Sequence, residues 1–170
     1  LKNGKNKGNK YERDIAKLLT EAWGIKFRRV PTSGGMKHWR GDIVAVFDED
    51  RIRFPFCIEL KNQKTLNIPA WIRQTQAEAE ETNKIGLLIF HRNHTSKNYL
   101  IMKESEFKDL YADQYDTIII EKQQKNISAM NWIKAAEKKS DSFIIKFNHE
   151  QTSYVLLPFK DFISFKHSFQ

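Results

Sequence analysis

The segment Phe54-Pro-Phe-Cys-Ile-Glu-Leu-Lys61 is an apolar run that ends in two charges, Glu59 and Lys61. An Ile- and Phe-containing run of this length reads as a buried strand. A charge entering such a strand needs a partner, because burying it alone is costly. On a strand, residues i and i+2 share a face about 6.5 Å apart, so Glu59 and Lys61 converge. Upstream by 17 residues, Asp42 opens a second apolar run, Ile43-Val-Ala-Val-Phe47. Two neighbouring strands bring the two carboxylates and the amine together. Such a set can hold a hard divalent cation beside a phosphodiester and activate a water next to it.

Acid-x-Lys occurs three times in the chain, at Glu59-Leu-Lys61, Glu106-Phe-Lys108 and Glu137-Lys-Lys139, so the spacing alone carries little information. Local structure separates the three. Glu106 and Glu137 fall in short amphipathic helical patterns, where i and i+2 point to nearly opposite sides. Only Glu59 and Lys61 sit on a strand and face one site.

Charge is distributed as unevenly as apolarity. Residues 1–40 hold 11 Lys/Arg against 3 acids, a net of +8, and residues 41–170 hold 18 against 18. An excess confined to the first quarter suits a polyanion, and nucleic acid is the expected partner. Cys57 is the only cysteine and lies in the apolar strand, which excludes an internal disulfide and a cysteine-based zinc site. No apolar run approaches membrane-spanning length, and the expected location is the cytoplasm, or the host-cell cytoplasm if the chain is phage-encoded.

The expected fold class is α/β: a core with a central mixed sheet flanked by helices, plus a C-terminal α/β extension. Residues 1–9, rich in Lys, Asn and Gly, are expected to form a flexible basic segment. Residues 10–102 form the core. Tyr11 to Trp23 is an amphipathic helix ending at Gly24, and Ile25 to Val30 is a strand. Asp48-Glu-Asp50 is a turn, and Pro55 marks a bulge or an edge position. Pro69 starts a helix that runs to about Thr82, and strands cover Ile85 to His91 and Tyr99 to Met102.

Residues 103–170 form the extension, packed on the core or extending it. They echo the preceding unit: a Trp71 helix, Leu87–Phe90, Tyr99–Met102 and Phe107 are matched by a Trp132 helix, Phe143–Phe147, Tyr154–Leu157 and Phe162. Duplication and convergent α/β patterning both account for this echo. The second unit carries no acid cluster.

Lys7-Gly-Asn-Lys-Tyr-Glu-Arg-Asp14, Ser33-Gly-Gly35, Gly41-Asp-Ile-Val44, Glu59-Leu-Lys61 and Trp71-Ile-Arg-Gln74 follow one another in an order and spacing that resembles the PD-(D/E)XK nuclease superfamily. Within it, residues 7–92 look most like the archaeal-type Holliday junction resolvases and their phage relatives. Gly41 stands where the superfamily name has proline, and the interval from Asp42 to Glu59 is somewhat long. The resemblance implies that the α/β core is restriction-endonuclease-like and that Glu12, Asp42, Glu59, Lys61 and Gln74 have catalytic roles. Asp42, Glu59 and the main-chain carbonyl of Leu60 become ligands of Mg²⁺, with Mn²⁺ able to substitute. Lys61 orients the attacking water, Glu12 completes the site, and Gln74 bonds near Lys61 or the phosphate. Ser33 resembles the resolvase loop serine that touches DNA, and Lys7, Lys10, Arg28, Arg29, Lys37 and Arg40 are candidates for backbone phosphates.

Function then divides three ways. A Mg²⁺-dependent DNA endonuclease of the Holliday junction resolvase type, acting as a homodimer on branched DNA, leads. A non-selective or restriction-type nuclease with the same core is the second alternative. A catalytically inactive DNA-binding module is the third.

Overall fold

The computed structural model describes residues 2–30, 39–92, 95–111, 114, 118–122 and 126–167. The chain opens with α1 (Lys2–Trp23), β1 (Phe27–Arg29), β2 (Ile43–Ala45), α2 (Asp48–Arg53) and β3 (Phe56–Lys61). It continues through α3 (Ile68–Thr82), β4 (Ile85–His91), β5 (Asn98–Lys103) and α4 (Glu104–Tyr111). The last part comprises β6 (Ile118–Lys122), α5 (Ala129–Glu137), β7 (Phe143–His149), β8 (Thr152–Pro158) and α6 (Phe159–Ser164). Among the described residues, all strands join one eight-stranded mixed sheet in the order β1-β2-β3-β4-β5-β8-β7-β6.

Strand alternation divides the core between the two faces of this sheet. Leu87 and Ile89 of β4 join Ile58, Leu100, Met102 and Leu157 under α1, α4 and α6. Leu88 and Phe90 point the other way, into the layer made with Trp71 of α3 and Trp132 of α5. Both faces of the central strands are covered, which is why they read as unbroken apolar runs. No helix among the described residues is long and apolar enough to cross a membrane.

Three local expectations are corrected. The first is that residues 2–9 are not a loose tail but the opening turns of α1. Once the amphipathic body from Tyr11 to Trp23 is fixed, each added residue meets only the small cost of propagation, and lysine is a good helix former. Asp48-Glu-Asp50 opens α2 rather than making a turn: three acids in its first turn and Arg51 and Arg53 in its last complement the helix dipole. Finally, Pro55 precedes β3 and marks neither a bulge nor an edge. That strand is interior, parallel to β4 and antiparallel to β2.

The echoed halves take one architecture. Lys61 pairs with Phe90 and Phe90 with Tyr99; correspondingly, Lys122 pairs with Phe147 and Phe147 with Tyr154. The halves meet through the antiparallel pair of β5 and β8. In this register Glu59, opposite Leu88, corresponds to Ile120, opposite Ile145. A carboxylate at that position is thus present in the first half alone.

Candidate active site

Asp42 enters β2 from a glycine that nothing else can replace without strain. Gly41 has φ +82°, and a Cβ there would lie 2.7 Å from the Ile58 carbonyl oxygen. That close approach lets the Asp42 N–H donate to Ile58 O at 2.7 Å, while the Leu60 N–H donates to Asp42 Oδ2 at 2.7 Å. Backbone and side chain of Asp42 are therefore both fastened to β3, on either side of Glu59.

Glu59 is 4 % exposed and turns toward α3. Its Oε1 accepts from Lys61 Nζ at 2.6 Å and from Gln74 Nε2 at 2.8 Å. Lys61 Nζ also donates to Gln74 Oε1 at 2.8 Å, closing a three-residue ring of hydrogen bonds. These bonds use one oxygen of each carboxylate: both donors to Glu59 land on Oε1, and Leu60 donates to Oδ2 of Asp42.

The electrostatics carry an excess of negative charge. Burial pushes the Asp42 carboxyl up to about 6; Glu12 and Glu78 add to the rise, and the Leu60 N–H and Lys61 oppose it. Burial, then the charge of Asp42, pushes Glu59 up to about 7 against the pull of Lys61. A cavity of about 270 Å³ joins Asp42, Glu59 and Lys61 to Gly8, Tyr11 and Glu12 of α1.

Two hard-oxygen side chains that share one ammonium, in a cavity that Leu60 also lines, form a donor set that fits a divalent cation such as Mg²⁺, which keeps several waters and takes a substrate phosphate oxygen. Among the described residues, no group of three or more His, Cys, Asp or Glu side chains could hold a metal alone.

The remaining candidates are distributed as follows. Glu12 reaches the cavity, but its Oε2 accepts from Arg29 Nε at 2.8 Å. Arg29 also donates to Asn9, so it supports Glu12 from the side instead of standing free for phosphate. Arg28 lies over the Trp39 ring at 4.8 Å, with Arg51 4.3 Å from the same ring. Lys7 is exposed, Lys10 pairs with Asp14, and Arg40 pairs with Glu81 on α3. Ser33 and Lys37 lie outside the described residues.

Two neighbours escaped the sequence. Glu78 accepts the Gly41 N–H at 2.9 Å through Oε2 and the Gln74 amide at 3.0 Å through Oε1. Its i,i+4 spacing from Gln74 on one helix face was the available signal. Tyr11 donates to Asn98 Oδ1 at 2.9 Å across 87 residues of chain, a contact that no local pattern encodes.

A family model described as phage putative PDDEXK endonuclease matches residues 3–168, nearly the whole chain. The match covers both halves of the sheet and places the chain within the PD-(D/E)XK nuclease superfamily. No curated protein and no solved structure matches significantly.

Proposed function

We propose that this chain, which belongs to that family of phage PDDEXK endonucleases, hydrolyses phosphodiesters of branched DNA in the manner of a Holliday junction resolvase, using Mg²⁺ or Mn²⁺. The observation that carries the chemistry is the meeting of Asp42 and Glu59 at adjoining strand ends, one fastened by the Leu60 N–H and the other by Lys61 and Gln74.

Asp42 and Glu59, with the Leu60 carbonyl, would hold the cation. When bound, the cation supplies charge neutralisation at the phosphate and lowers the pKa of a water. Lys61 is parked on Glu59 and Gln74. Its ammonium is placed to orient the attacking water and to stabilise charge building on the phosphate. Gln74 bonds both Lys61 and Glu59, which fixes the amine relative to the carboxylate. Glu12, braced by Arg29, adds a third carboxylate to the same cavity.

Branch selectivity is supported by the resolvase-like order of motifs from Lys7 to Gln74. Paired incisions across a four-way junction call for two sites, hence a homodimer. The test compares cleavage of a four-way junction, a linear duplex and single-stranded DNA in magnesium, with Lys61→Ala as the control. Junction cleavage well above duplex cleavage, lost in Lys61→Ala, supports the proposal. Equal cleavage of all three favours a non-selective nuclease, and DNA binding with no cleavage in Mg²⁺ or Mn²⁺ favours a binding module.

A further inference from the structure

Arg28 stands one strand away from Asp42, on the same face of the sheet. It pairs with Val44 across β1 and β2, and that ladder runs on to a bond from the Val30 N–H to the Asp42 carbonyl at 2.8 Å. Alternation puts Val44 and Asp42 on one side, and directly opposed residues share a side. Arg28 and Asp42 are therefore diagonal neighbours, about 7–8 Å apart. Arg29, the next residue, points to the other side, where it braces Glu12.

The Arg28 guanidinium has a seat. It lies 4.8 Å from the centre of the half-buried Trp39 ring, and the Arg51 guanidinium lies 4.3 Å from the same ring. Trp39 shares a small cleft with Val44, Phe54 and Arg51, which holds the ring beside β2. The two cations differ in what else they touch. Arg51 bonds the Ala45 and Val46 carbonyls and pairs with Asp48, so each of its three nitrogens is committed. Arg28 is exposed, and among the described residues no carboxylate or other acceptor meets it. Other basic side chains near the site are taken: Lys10 by Asp14, Arg29 by Glu12 and Arg40 by Glu81. Asp48 compensates Arg51, and the charge of Arg28 is left over.

We infer that Arg28, seated on Trp39, clamps one backbone phosphate of the strand being cut, about two nucleotides from the scissile phosphate. That offset is the diagonal above divided by a rise of about 3.4 Å per nucleotide along one strand. This inference rests on the nuclease reading and deepens it by assigning the path of the cut strand along β1. A guanidinium held by a ring keeps its in-plane donors, and these match the paired oxygens of a phosphate. Holding the side chain beforehand also removes part of the ordering cost of binding. The clamp sets the register of the strand on Asp42 and Glu59 and carries no sequence information. Trp39, occupied by two guanidiniums, is a positioning residue and not a platform for a base.

The experiment measures DNA binding in calcium, at several salt concentrations, for wild type, Arg28→Ala, Trp39→Leu and Trp39→Phe. A branched substrate carries a neutral methylphosphonate at each phosphate of the cut strand in turn. Wild-type affinity falls about tenfold when the clamped phosphate is neutralised, as for one lost charge-assisted contact. Arg28→Ala lowers the salt slope by about one and no longer responds to the neutral phosphate at that position. Trp39→Leu keeps the charge of Arg28 but removes its seat, so the response there shrinks. Trp39→Phe retains an aromatic face and restores it. Arg28→Ala alters an exposed side chain and keeps the clamp testable should Trp39→Leu fail to fold.

Identical salt slopes and methylphosphonate profiles in wild type and Arg28→Ala overturn the clamp, and cleavage by the same protein in Mg²⁺ leaves the nuclease reading standing. A loss spread evenly over all phosphates marks a general field and overturns it as well. An Arg28→Ala effect that folded Trp39→Leu does not share overturns the seat. If no DNA is cut in Mg²⁺ or Mn²⁺, the nuclease reading fails, and the salt slope on any DNA decides the clamp separately.

Discussion

Glu78 accepts the Gly41 N–H at 2.9 Å, so a helix side chain holds the backbone immediately ahead of Asp42. The same carboxylate accepts from Gln74, and Gln74 bonds Glu59 and Lys61. The two strands that carry the acids are thus aligned both by sheet pairing and through α3. Glu78→Ala should lower kcat about tenfold or more with little change in KM, as expected when geometry at the reacting centre is loosened. Glu78→Gln keeps an acceptor for Gly41 and should recover most of the rate. Equal loss in both variants would show that charge, not positioning, is what Glu78 contributes.

Gly41 and Gly8 should respond to alanine with opposite sign. A Cβ on Gly41 meets the Ile58 carbonyl at 2.7 Å, and its φ of +82° is strained for any L side chain. Gly41→Ala should cost about 2 kcal/mol or more and displace Asp42. Gly8 sits within α1, and a methyl added there would meet nothing within 4 Å, so Gly8→Ala should stabilise by about 0.5–1 kcal/mol. Urea denaturation midpoints read both effects; a neutral Gly41→Ala refutes the first.

The raised carboxyls make the metal-free protein pH-sensitive in a definite direction. Asp42 moves from 3.8 to about 6 and Glu59 from 4.5 to about 7 on folding. The folded chain therefore keeps protons that the unfolded chain releases, and this stabilisation is complete below about pH 4 and lost as pH rises through 6 to 7. Glu59→Gln should flatten that loss between about pH 4.5 and 7, by an amount on the order of 1–3 kcal/mol, while abolishing cleavage. Mg²⁺ or Mn²⁺ should raise the melting temperature at pH 8 in wild type and much less in Glu59→Gln. Identical pH slopes for variant and wild type would remove this pair as the source.

Much of this arrangement was legible in the sequence because it is local. Glu59 and Lys61 share a strand face by alternation, and Gly41-Asp42 opens the neighbouring run, so two short segments suffice to define the carboxylate pair. The interior of β3 was legible too, since a strand covered on both faces has no polar alternation. What escaped depends on contacts remote in sequence. Tyr11 meets Asn98, and Glu78 meets Gly41, only after α1 and α3 dock on opposite faces of the sheet. Arg29 looked like a phosphate contact because its charge is visible and its partner, Glu12, lies 17 residues away on another element. The short helix α2 was hidden by its acids, which suit a turn and a helix N-terminus equally well.

Arg29 offers a test that separates support from DNA contact. Its guanidinium donates to Glu12 Oε2 at 2.8 Å and to Asn9 at 3.0 Å, and both partners of the ion pair are largely shielded. If Arg29 braces Glu12, Arg29→Ala should lower kcat and leave the salt dependence of DNA binding unchanged. Combined with Glu12→Ala, it should add little further loss, because residues acting as a unit are non-additive. A phosphate contact behaves otherwise: removal weakens binding across sequences and reduces the salt slope by about one. Binding isotherms at several salt concentrations, beside a double-mutant cycle on kcat, distinguish the two. The expected result is a shared catalytic defect with an unchanged slope, and a reduced slope with additive losses would return Arg29 to the DNA-binding surface.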